Sequence, residues 1–183
     1  PIKRDQPGCW DRLRHHFGTA IMSRVELNLP APDFTLTDFK GNEVRLSDFQ
    51  GKKNVLLVFN RGFFWPFCQR HMAQLRQDHD KFLAQDTEVI VVGPEGATAF
   101  ALYWKVNDLP FVGLPDPKHC VLKLYGQEVS LFKFGRQPAQ VTIDKNGQVR
   151  YVHYGHDPSD IPANAEILDV LKTMNAEPVI QVL

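Results

Sequence analysis

Residues 55–75 read VLLVFNRGFFWPFCQRHMAQL, and they contain a predicted strand followed directly by a predicted helix. The run 55–60 is apolar up to its last residue and rich in Val and Leu, which is typical of a strand buried on both faces of a sheet. Pro66 then stands where proline is favoured, in the first turn of a helix. From Phe67 onward apolar residues recur at helical spacing with polar residues between them, which predicts an amphipathic helix of about five turns.

The rest of the chain continues this alternation of strands and helices. Hairpins are expected around the turns 40–42 and 145–147, where glycine supplies the positive φ. The other predicted strands are 88–93 and 111–114, and the other predicted helices are 96–107, 116–126 and 163–174. Parallel strands joined by helices and completed by an antiparallel pair predict an α/β fold, a three-layer α/β/α sandwich with a mixed central sheet and an N-terminal β-hairpin.

Length and charge limit the class of protein. The 183 residues suit one domain, which we assign to residues 22–183, because a well-patterned sequence begins after Met22. Residues 1–21 are either an extension or a terminal helix. The 21 basic and 21 acidic side chains balance, which argues against nucleic acid as a partner. No apolar run approaches the roughly 20 residues of a membrane span, so no membrane partner is expected.

The cysteines are too few and too scattered for a disulfide-stapled secreted protein. They are Cys9, Cys68 and Cys120, and no C-x-x-C pair occurs, so no zinc ribbon or local dithiol motif can form. We therefore expect a cytoplasmic protein with no cofactor. A metal at Cys68 with His71, or at His119 with Cys120, would lack a second thiolate, and none is expected.

Cys68 follows the C-terminal end of a buried strand and lies in the first turn of the next helix. Reactive groups collect at this edge of open α/β sheets, and a helix N-terminus favours the thiolate. Arg61, Arg70 and His71 are near in sequence and would lower the pKa of the thiol further. The alternative is a structural cysteine, since free Cys is among the most buried residue types. The strand–proline–helix context favours a nucleophile.

The chain contains several distinctive short motifs: APDF at 31–34, LSDF at 46–49, RG at 61–62, PFC at 66–68, DP at 116–117, LYG at 124–126 and IDKNGQV at 143–149. Together they resemble the peroxiredoxin superfamily, which comprises alkyl hydroperoxide reductases and thiol-specific antioxidant proteins. The resemblance implies a thioredoxin-like fold and an antioxidant thiol peroxidase. Cys68 would be the peroxidatic thiol that hydroperoxide oxidises to a sulfenic acid. It also implies a cis-proline at Pro138 facing this cysteine, although most X–Pro bonds are trans.

The stretch before Cys68 departs from the superfamily pattern P-x-x-x-T-x-x-C. Arg61 stands at the proline position and Trp65 at the threonine position, so the hydroxyl that helps to orient peroxide is missing. The closer resemblance is to peroxiredoxin-like proteins with the pattern R-G-x-W-C-P-x-C. In this chain Trp65 stands where that pattern has its first cysteine. A dithiol mechanism is therefore not expected at this loop. Arg61 and the family's second arginine, for which Arg136 is the nearest candidate, would stabilise developing charge.

The remaining candidates concern the pocket and the resetting of the thiol. Phe64, Trp65, Pro66 and Phe67 would wall the thiol pocket together with Pro138; the alternatives for the aromatic residues are a homodimer contact or the core. The usual resolving positions lack cysteine, and Cys120 would resolve Cys68 only if the two Cα atoms came within about 7 Å. We expect a single-cysteine cycle reset by an external thiol such as thioredoxin, glutaredoxin or glutathione.

Three functions are open at this point. The first is the thiol peroxidase, the second a thiol–disulfide or glutathione-linked reductase. The third is a thioredoxin-fold binding protein that has lost catalysis, with Trp65 as the mark of that loss. His153 and His156 near Asp157 are either a proton relay or solvated loop residues.

Overall fold

The computed structural model describes residues 24–130, 132 and 135–177. Its elements in chain order are β1 (Thr35–Thr37), β2 (Glu43–Arg45), a 3-10 turn (Leu46–Phe49), β3 (Asn54–Phe59), α1 (Pro66–Gln77), α2 (His79–Leu83), β4 (Thr87–Gly93), α3 (Ala97–Asn107), β5 (Val112–Pro115), α4 (Cys120–Leu124), β6 (Val129–Ser130), β7 (Gly135–Arg136), β8 (Ala139–Ile143), β9 (Val149–Tyr154) and α5 (Asn164–Ala176). The predicted extension 1–21, with Cys9, lies outside the described residues, and the domain bounds 22–183 stay a prediction.

β3 is the central strand of a five-stranded sheet ordered β5-β4-β3-β8-β9. The pairs β3–β4 and β4–β5 are parallel, whereas β8 is antiparallel to both β3 and β9. Every residue of β3 is buried, as expected for a strand covered on both faces. The predicted α/β fold with a mixed central sheet is therefore confirmed.

Alternate residues of β3 belong to two hydrophobic cores, one on each face of the sheet, because successive side chains of a strand point in opposite directions. Leu56 and Val58 pack with residues of α1, α3 and α5. Leu57 and Phe59 pack with α4 and the β1–β2 hairpin. Both cores hold the C-terminal end of β3 in place, and the chain leaves this end to form the loop that leads into α1.

Two predicted helices have different bounds in the structure. The expected five-turn helix is divided at Asp78 (φ −98°, ψ 8°), whose carboxylate binds Lys81 Nζ at 2.7 Å and Asn164 Nδ2 at 2.9 Å. The helix expected from Asp116 begins only at Cys120. The carboxylate of Asp116 accepts the backbone N–H groups of residues 120, 121 and 122 at 2.8–3.0 Å, so this residue caps the helix from outside.

The turn predictions are confirmed, and the cis-proline prediction is wrong. Gly41 (φ 93°) and Gly147 (φ 78°) have the positive φ that the two hairpin turns require. No peptide bond within the described ranges is cis, so the bond before Pro138 is trans, as most X–Pro bonds are. No helix in this part of the chain has the length and apolar character that crossing a membrane requires.

Candidate active site

Cys68 lies in the first turn of α1, just beyond the C-terminal end of β3. Trp65 is the N-cap residue and Pro66 opens the helix, as predicted from the sequence. Cys68 carries a free thiol that is only 2% exposed. The thiol therefore lies beneath the surface, and small molecules reach it through a pocket.

The loop between β3 and α1 supplies hydrogen-bond donors to the sulfur of Cys68. The backbone N–H groups of Arg61 and Gly62 hydrogen-bond to Cys68. Asn60 Oδ1 accepts the N–H of Gly62 at 2.7 Å. Gly62 has φ 139°, a conformation that side chains disfavour, and a Cβ there would lie 3.0 Å from Glu95 Oε1. The glycine at position 62 is thus explained by its positive φ and by the Glu95 carboxylate beside it.

Burial raises the pKa of the Cys68 thiol above its ordinary value. The N–H groups of Arg61 and Gly62 and the guanidinium of Arg61 favour the thiolate, whereas the charge of Glu95 disfavours it. The net direction is opposite to the lowered pKa expected from the sequence. Burial thus opposes the thiolate form of Cys68, and the donors on the sulfur act in the opposite direction.

Arg61 is the arginine that the structure brings to Cys68. Its side chain is 4% exposed, its Nε donates to the carbonyl oxygen of Arg136, and its charge acts on the thiol. The ring of Trp65 covers the guanidinium, with 4.3 Å between Cζ and the ring centroid. A guanidinium stays charged at any physiological pH, so Arg61 is a fixed positive charge beside the sulfur.

Arg136 contributes its backbone to this arrangement. Its guanidinium donates to Gln127 Oε1 at 3.1 Å, and the charge of Asp116 acts on it. Gln127 in turn donates to the carbonyl oxygens of Phe59 and Gln137, at 3.2 and 2.7 Å. This network fastens the segment before β8 to the end of β3. A catalytic role for Arg136 stays a prediction.

A pocket opens onto Cys68 between α1, the sheet and the loop before α5. Besides Cys68, its polar lining residues are Asn60, His71, Gln140, His153 and Asp160. Pro138 lines it, as the sequence predicts. The four residues 64–67, expected as pocket walls, are exposed at the start of α1 and are not among the residues that line this pocket.

Three residues near the thiol were not expected from the sequence. Glu95 Oε1 accepts the N–H of Phe63 at 2.6 Å, and the carboxylate acts on Cys68. Tyr103 stacks on Phe63 with 4.3 Å between ring centroids, and burial, then the charges of Cys68 and Glu95, raise its pKa. Glu95 follows the parallel strand β4, so its position at the reactive edge of the sheet was a usable signal. Tyr103 and Gln140, which lines the pocket with Cys68, had no such signal in the sequence.

His153 and His156, which the sequence placed near Asp157, contact Asp160. Asp157 contacts Ser159. His153 Nε2 lies 3.0 Å from Asp160 Oδ1, and His156 Nδ1 lies 3.2 Å from Asp160 Oδ2. Asp157 Oδ1 accepts the N–H of Ser159 at 2.8 Å and its hydroxyl at 2.6 Å. Of the two readings, the solvated loop applies to His156, which is 85% exposed in its side chain, whereas His153 lines the pocket.

Cys120 is disulfide-bonded whereas Cys68 is free, so the two are not joined to each other. Cys120 is half-buried at the first residue of α4. Its role as a resolving cysteine stays a prediction. Within residues 24–130, 132 and 135–177, no three His, Cys, Asp or Glu side chains are placed to hold a metal ion.

His71 gives the fold an acid sensitivity. It is buried, its Nε2 accepts an N–H from Gln140 Nε2 at 3.1 Å, and burial lowers its pKa to about 4 from 6.5. The unfolded chain takes up this proton as the pH falls below 6.5, whereas the folded chain takes it up only near 4. Folding stability should therefore fall by about 2 kcal/mol between pH 7 and pH 5 on account of His71.

Urea unfolding at pH 7, 6 and 5 measures this contribution. The pH dependence over this window should be flatter in His71→Gln than in the unsubstituted chain. Parallel pH curves for the two proteins would show that His71 does not carry the effect.

Comparisons with known proteins agree with the motifs of the sequence. A family model described as the AhpC/TSA family matches residues 27–152. Peroxiredoxin Q, a chloroplastic protein of Oryza sativa subsp. japonica, is 33% identical over 135 residues, which are 73% of this chain and 61% of the rice protein. Peroxiredoxin Bcp of Bacillus subtilis is 27% identical over 130 residues, 68% of this chain and 82% of that protein. The chain thus spans about six tenths of the rice relative.

The fold also has close structural counterparts. Peroxidoxin BcpB from Mycobacterium tuberculosis superimposes with a TM-score of 0.71 at 20% sequence identity, over 85% of this chain and 99% of that one. At this identity the likeness concerns the fold alone. It agrees with the thioredoxin-like architecture that the motifs imply.

Proposed function

Because the chain belongs to the AhpC/TSA family of the peroxiredoxin superfamily, we propose that it is a thiol peroxidase that reduces hydroperoxides through Cys68. One observation carries the proposal. Cys68 is a free thiol in the first turn of α1, with two backbone N–H groups on its sulfur and the Arg61 guanidinium acting on it. These donors stabilise negative charge on the sulfur and on a reacting oxygen beside it.

The reaction at Cys68 is a displacement at oxygen. The deprotonated sulfur attacks the terminal oxygen of the hydroperoxide, an S–O bond forms, and the O–O bond breaks. The sulfur loses two electrons and becomes a sulfenic acid, while the leaving oxygen takes up a proton and departs as an alcohol or water. The N–H groups of Arg61 and Gly62 hold the sulfur during this step.

We propose that an external thiol resets the enzyme. Such a thiol attacks the sulfenic acid, releases water and leaves a mixed disulfide, which a second thiol reduces to regenerate Cys68. A free Cys68 that is not joined to Cys120 supports this single-cysteine cycle. The reductant is of the thioredoxin, glutaredoxin or glutathione type. Homodimer formation and a cytoplasmic location stay predictions from the sequence.

Trapping of the sulfenic acid tests this function. One equivalent of hydrogen peroxide, added to the reduced protein with dimedone present, should place the dimedone adduct on the peptide that contains Cys68, because a single-cysteine cycle leaves the sulfenic acid waiting for an external thiol. Peptide mass spectrometry reads the site of modification. A Cys120→Ser variant is the matched control and should give the same adduct.

Two further results separate the peroxidase from the thiol–disulfide reductase and from the non-catalytic binding protein. Disulfide-substrate turnover that persists in Cys68→Ser would rule out a thiol–disulfide reductase that works through this residue. An absent adduct together with unreacted peroxide would favour the non-catalytic binding protein and contradict the peroxidase.

A further inference from the structure

Three consecutive backbone N–H groups in the loop between β3 and α1 bind two different side chains. The first two, of Arg61 and Gly62, hydrogen-bond to Cys68. The third, of Phe63, is accepted by Glu95 Oε1 at 2.6 Å. Because one residue of backbone spans at most about 3.6 Å, this carboxylate oxygen and the sulfur lie within roughly 10 Å of each other. A very short piece of chain therefore connects Glu95 to the thiol.

The carboxylate of Glu95 lies between two glycines. A Cβ at Gly62 would be 3.0 Å from its Oε1, and a Cβ at Gly93 would be 3.1 Å from its Oε2. Gly62 belongs to the loop and Gly93 is the last residue of β4, so the carboxylate fills the space between the loop and the end of this strand. Its approach to the loop depends on the absence of side chains at both positions.

The ring of Phe63 attaches the loop to the same part of the fold. Phe63 is buried and stacks on Tyr103 of α3, with 4.3 Å between the ring centroids. Phe100 of the same helix meets it edge-on, with the centroids 4.7 Å apart. These contacts hold the side chain, whereas the hydrogen bond from the Phe63 N–H to Glu95 fixes the direction of the peptide unit that follows Gly62.

Glu95 also places a negative charge on this side of the thiol. The guanidinium of Arg61 favours the thiolate of Cys68, and the charge of Glu95 acts against it. The Oε2 atom of Glu95 is buried and has no hydrogen-bond partner among the described residues. Loss of this side chain would thus have two opposite effects, since it removes an opposing charge and also releases the loop that carries the donors.

We propose that Glu95 is a positioning residue of the Cys68 site, which holds the loop donors against the sulfur and keeps a negative charge beside it. It acts through the N–H of Phe63 and through its charge. The proposal deepens the proposed peroxidase function and rests on it, because donors that are already in place speed the attack of the sulfur on a hydroperoxide.

Glu95→Gln and Glu95→Ala separate the two effects, because both remove the charge and only glutamine keeps an acceptor for the Phe63 N–H. The rate constant for iodoacetamide is followed on the Cys68 peptide of the full chain from pH 4.5 to pH 9. We expect the midpoint of the rising limb in Glu95→Gln to lie about half a pH unit or more below that of the unsubstituted protein. The midpoint in Glu95→Ala should lie above that in Glu95→Gln, since the donors are less firmly held.

The other charged and titratable groups around Cys68 are the same in both variants, so their contributions cancel when the two midpoints are compared. They are Arg61 in the loop, Tyr103 of α3, His71 of α1, and His153 and Asp160 across the pocket.

Glu88→Gln is the matched control for the removal of a carboxylate. Glu88 lies near the start of β4, at the opposite end of the strand from Glu95, and its Oε2 binds Lys53 Nζ at 2.7 Å. The alkylation profile of Glu88→Gln should follow that of the unsubstituted protein.

Oxidation by hydrogen peroxide at pH 7 measures the positioning. The rate constant of Glu95→Gln should stay within about threefold of the unsubstituted value, whereas that of Glu95→Ala should be about tenfold lower or more. Circular dichroism checks that both variants fold. If Glu95→Ala does not fold, Glu95→Asp takes its place: it keeps the charge and is one methylene too short for the Phe63 N–H, so it should oxidise slowly without the downward shift of the midpoint.

Two results would overturn the proposal. A midpoint in Glu95→Gln equal to that of the unsubstituted protein would show that the charge does not reach the thiol. Equal midpoints and equal oxidation rates in Glu95→Gln and Glu95→Ala would show that the hydrogen bond does not hold the donors.

The same measurements distinguish this inference from the proposed function. A fast peroxide reaction that Glu95→Ala leaves unchanged would refute the positioning role and keep the peroxidase. The expected alkylation midpoints in a protein that reacts with peroxide no faster than free cysteine would support the role of Glu95 and refute the peroxidase.

Discussion

A Cys68→Ser variant should consume hydroperoxide no faster than buffer does. A serine hydroxyl has no accessible anion at neutral pH and cannot form a sulfenic acid, so the displacement at oxygen has no nucleophile. The measurement is the loss of hydrogen peroxide in the presence of an excess of dithiothreitol, with the reaction of the reductant alone subtracted. Of all single substitutions in the chain, this one should have the largest effect on activity.

Two controls make the result specific to the site. A Cys120→Ser variant should retain the rate of the unsubstituted protein, because Cys120 lies at the start of α4 and is not joined to Cys68. The far-ultraviolet circular dichroism of Cys68→Ser should be unchanged, since serine fits the volume of the buried thiol. Peroxide turnover that survives in Cys68→Ser would move the chemistry to another residue.

An Arg61→Gln variant should lower the rate of Cys68 oxidation by about 100- to 1000-fold. The substitution removes the positive charge that acts on the sulfur while keeping a polar side chain under the Trp65 ring. Loss of that charge raises the pKa of the thiol further, so the pH profile of alkylation should move to higher pH. Stopped-flow oxidation at pH 7 gives the rate, and the alkylation profile gives the direction of the pKa shift.

Arg136→Gln and Trp65→Leu are the matched comparisons. The carbonyl oxygen of Arg136 accepts a hydrogen bond from Arg61, and the guanidinium of Arg136 contacts Gln127. Arg136→Gln should therefore lower the rate of Cys68 oxidation much less than Arg61→Gln does. Trp65→Leu removes only the ring over the guanidinium, and a loss of about tenfold is expected. Equal losses in Arg61→Gln and Arg136→Gln would contradict the assignment of Arg61 as the arginine of the site.

Local pattern was sufficient to predict the fold. The apolar run ending at Phe59 is typical of a buried strand, and Pro66 marks the start of the following helix because proline is favoured in a first helical turn. The break at Asp78 was not predictable, since one of the two side chains that its carboxylate binds, Asn164, is far away in sequence. The strands β6 and β7 have two residues each, too few to give a periodic signal.

The site was only partly predictable, for a related reason. Cys68 and Arg61 are adjacent to one strand end, so sequence order alone brings them together. The pocket residues Gln140 and His153 meet because β8 and β9 pair in one particular register, and Asp160 reaches them from a loop. The pKa of the thiol was expected to fall, because the helix N-terminus and Arg61 were visible in the sequence whereas the depth of burial was not.

The same geometry changes the meaning of Trp65. From the sequence it marked a lost hydroxyl or a lost cysteine, and so a possible loss of catalysis. In the structure its ring lies over the Arg61 guanidinium and outside the pocket that reaches Cys68. Trp65 therefore restrains the charge beside the thiol and leaves the thiol accessible from the side of Pro138.

If Cys68 is a peroxidatic thiol, hydrogen peroxide should oxidise it much faster than it oxidises an ordinary cysteine. Stopped-flow tryptophan fluorescence at pH 7 can follow the reaction, with free cysteine measured under the same conditions as the reference. We predict a rate constant for Cys68 at least about a hundredfold above that of free cysteine. A rate constant equal to that of free cysteine would contradict it.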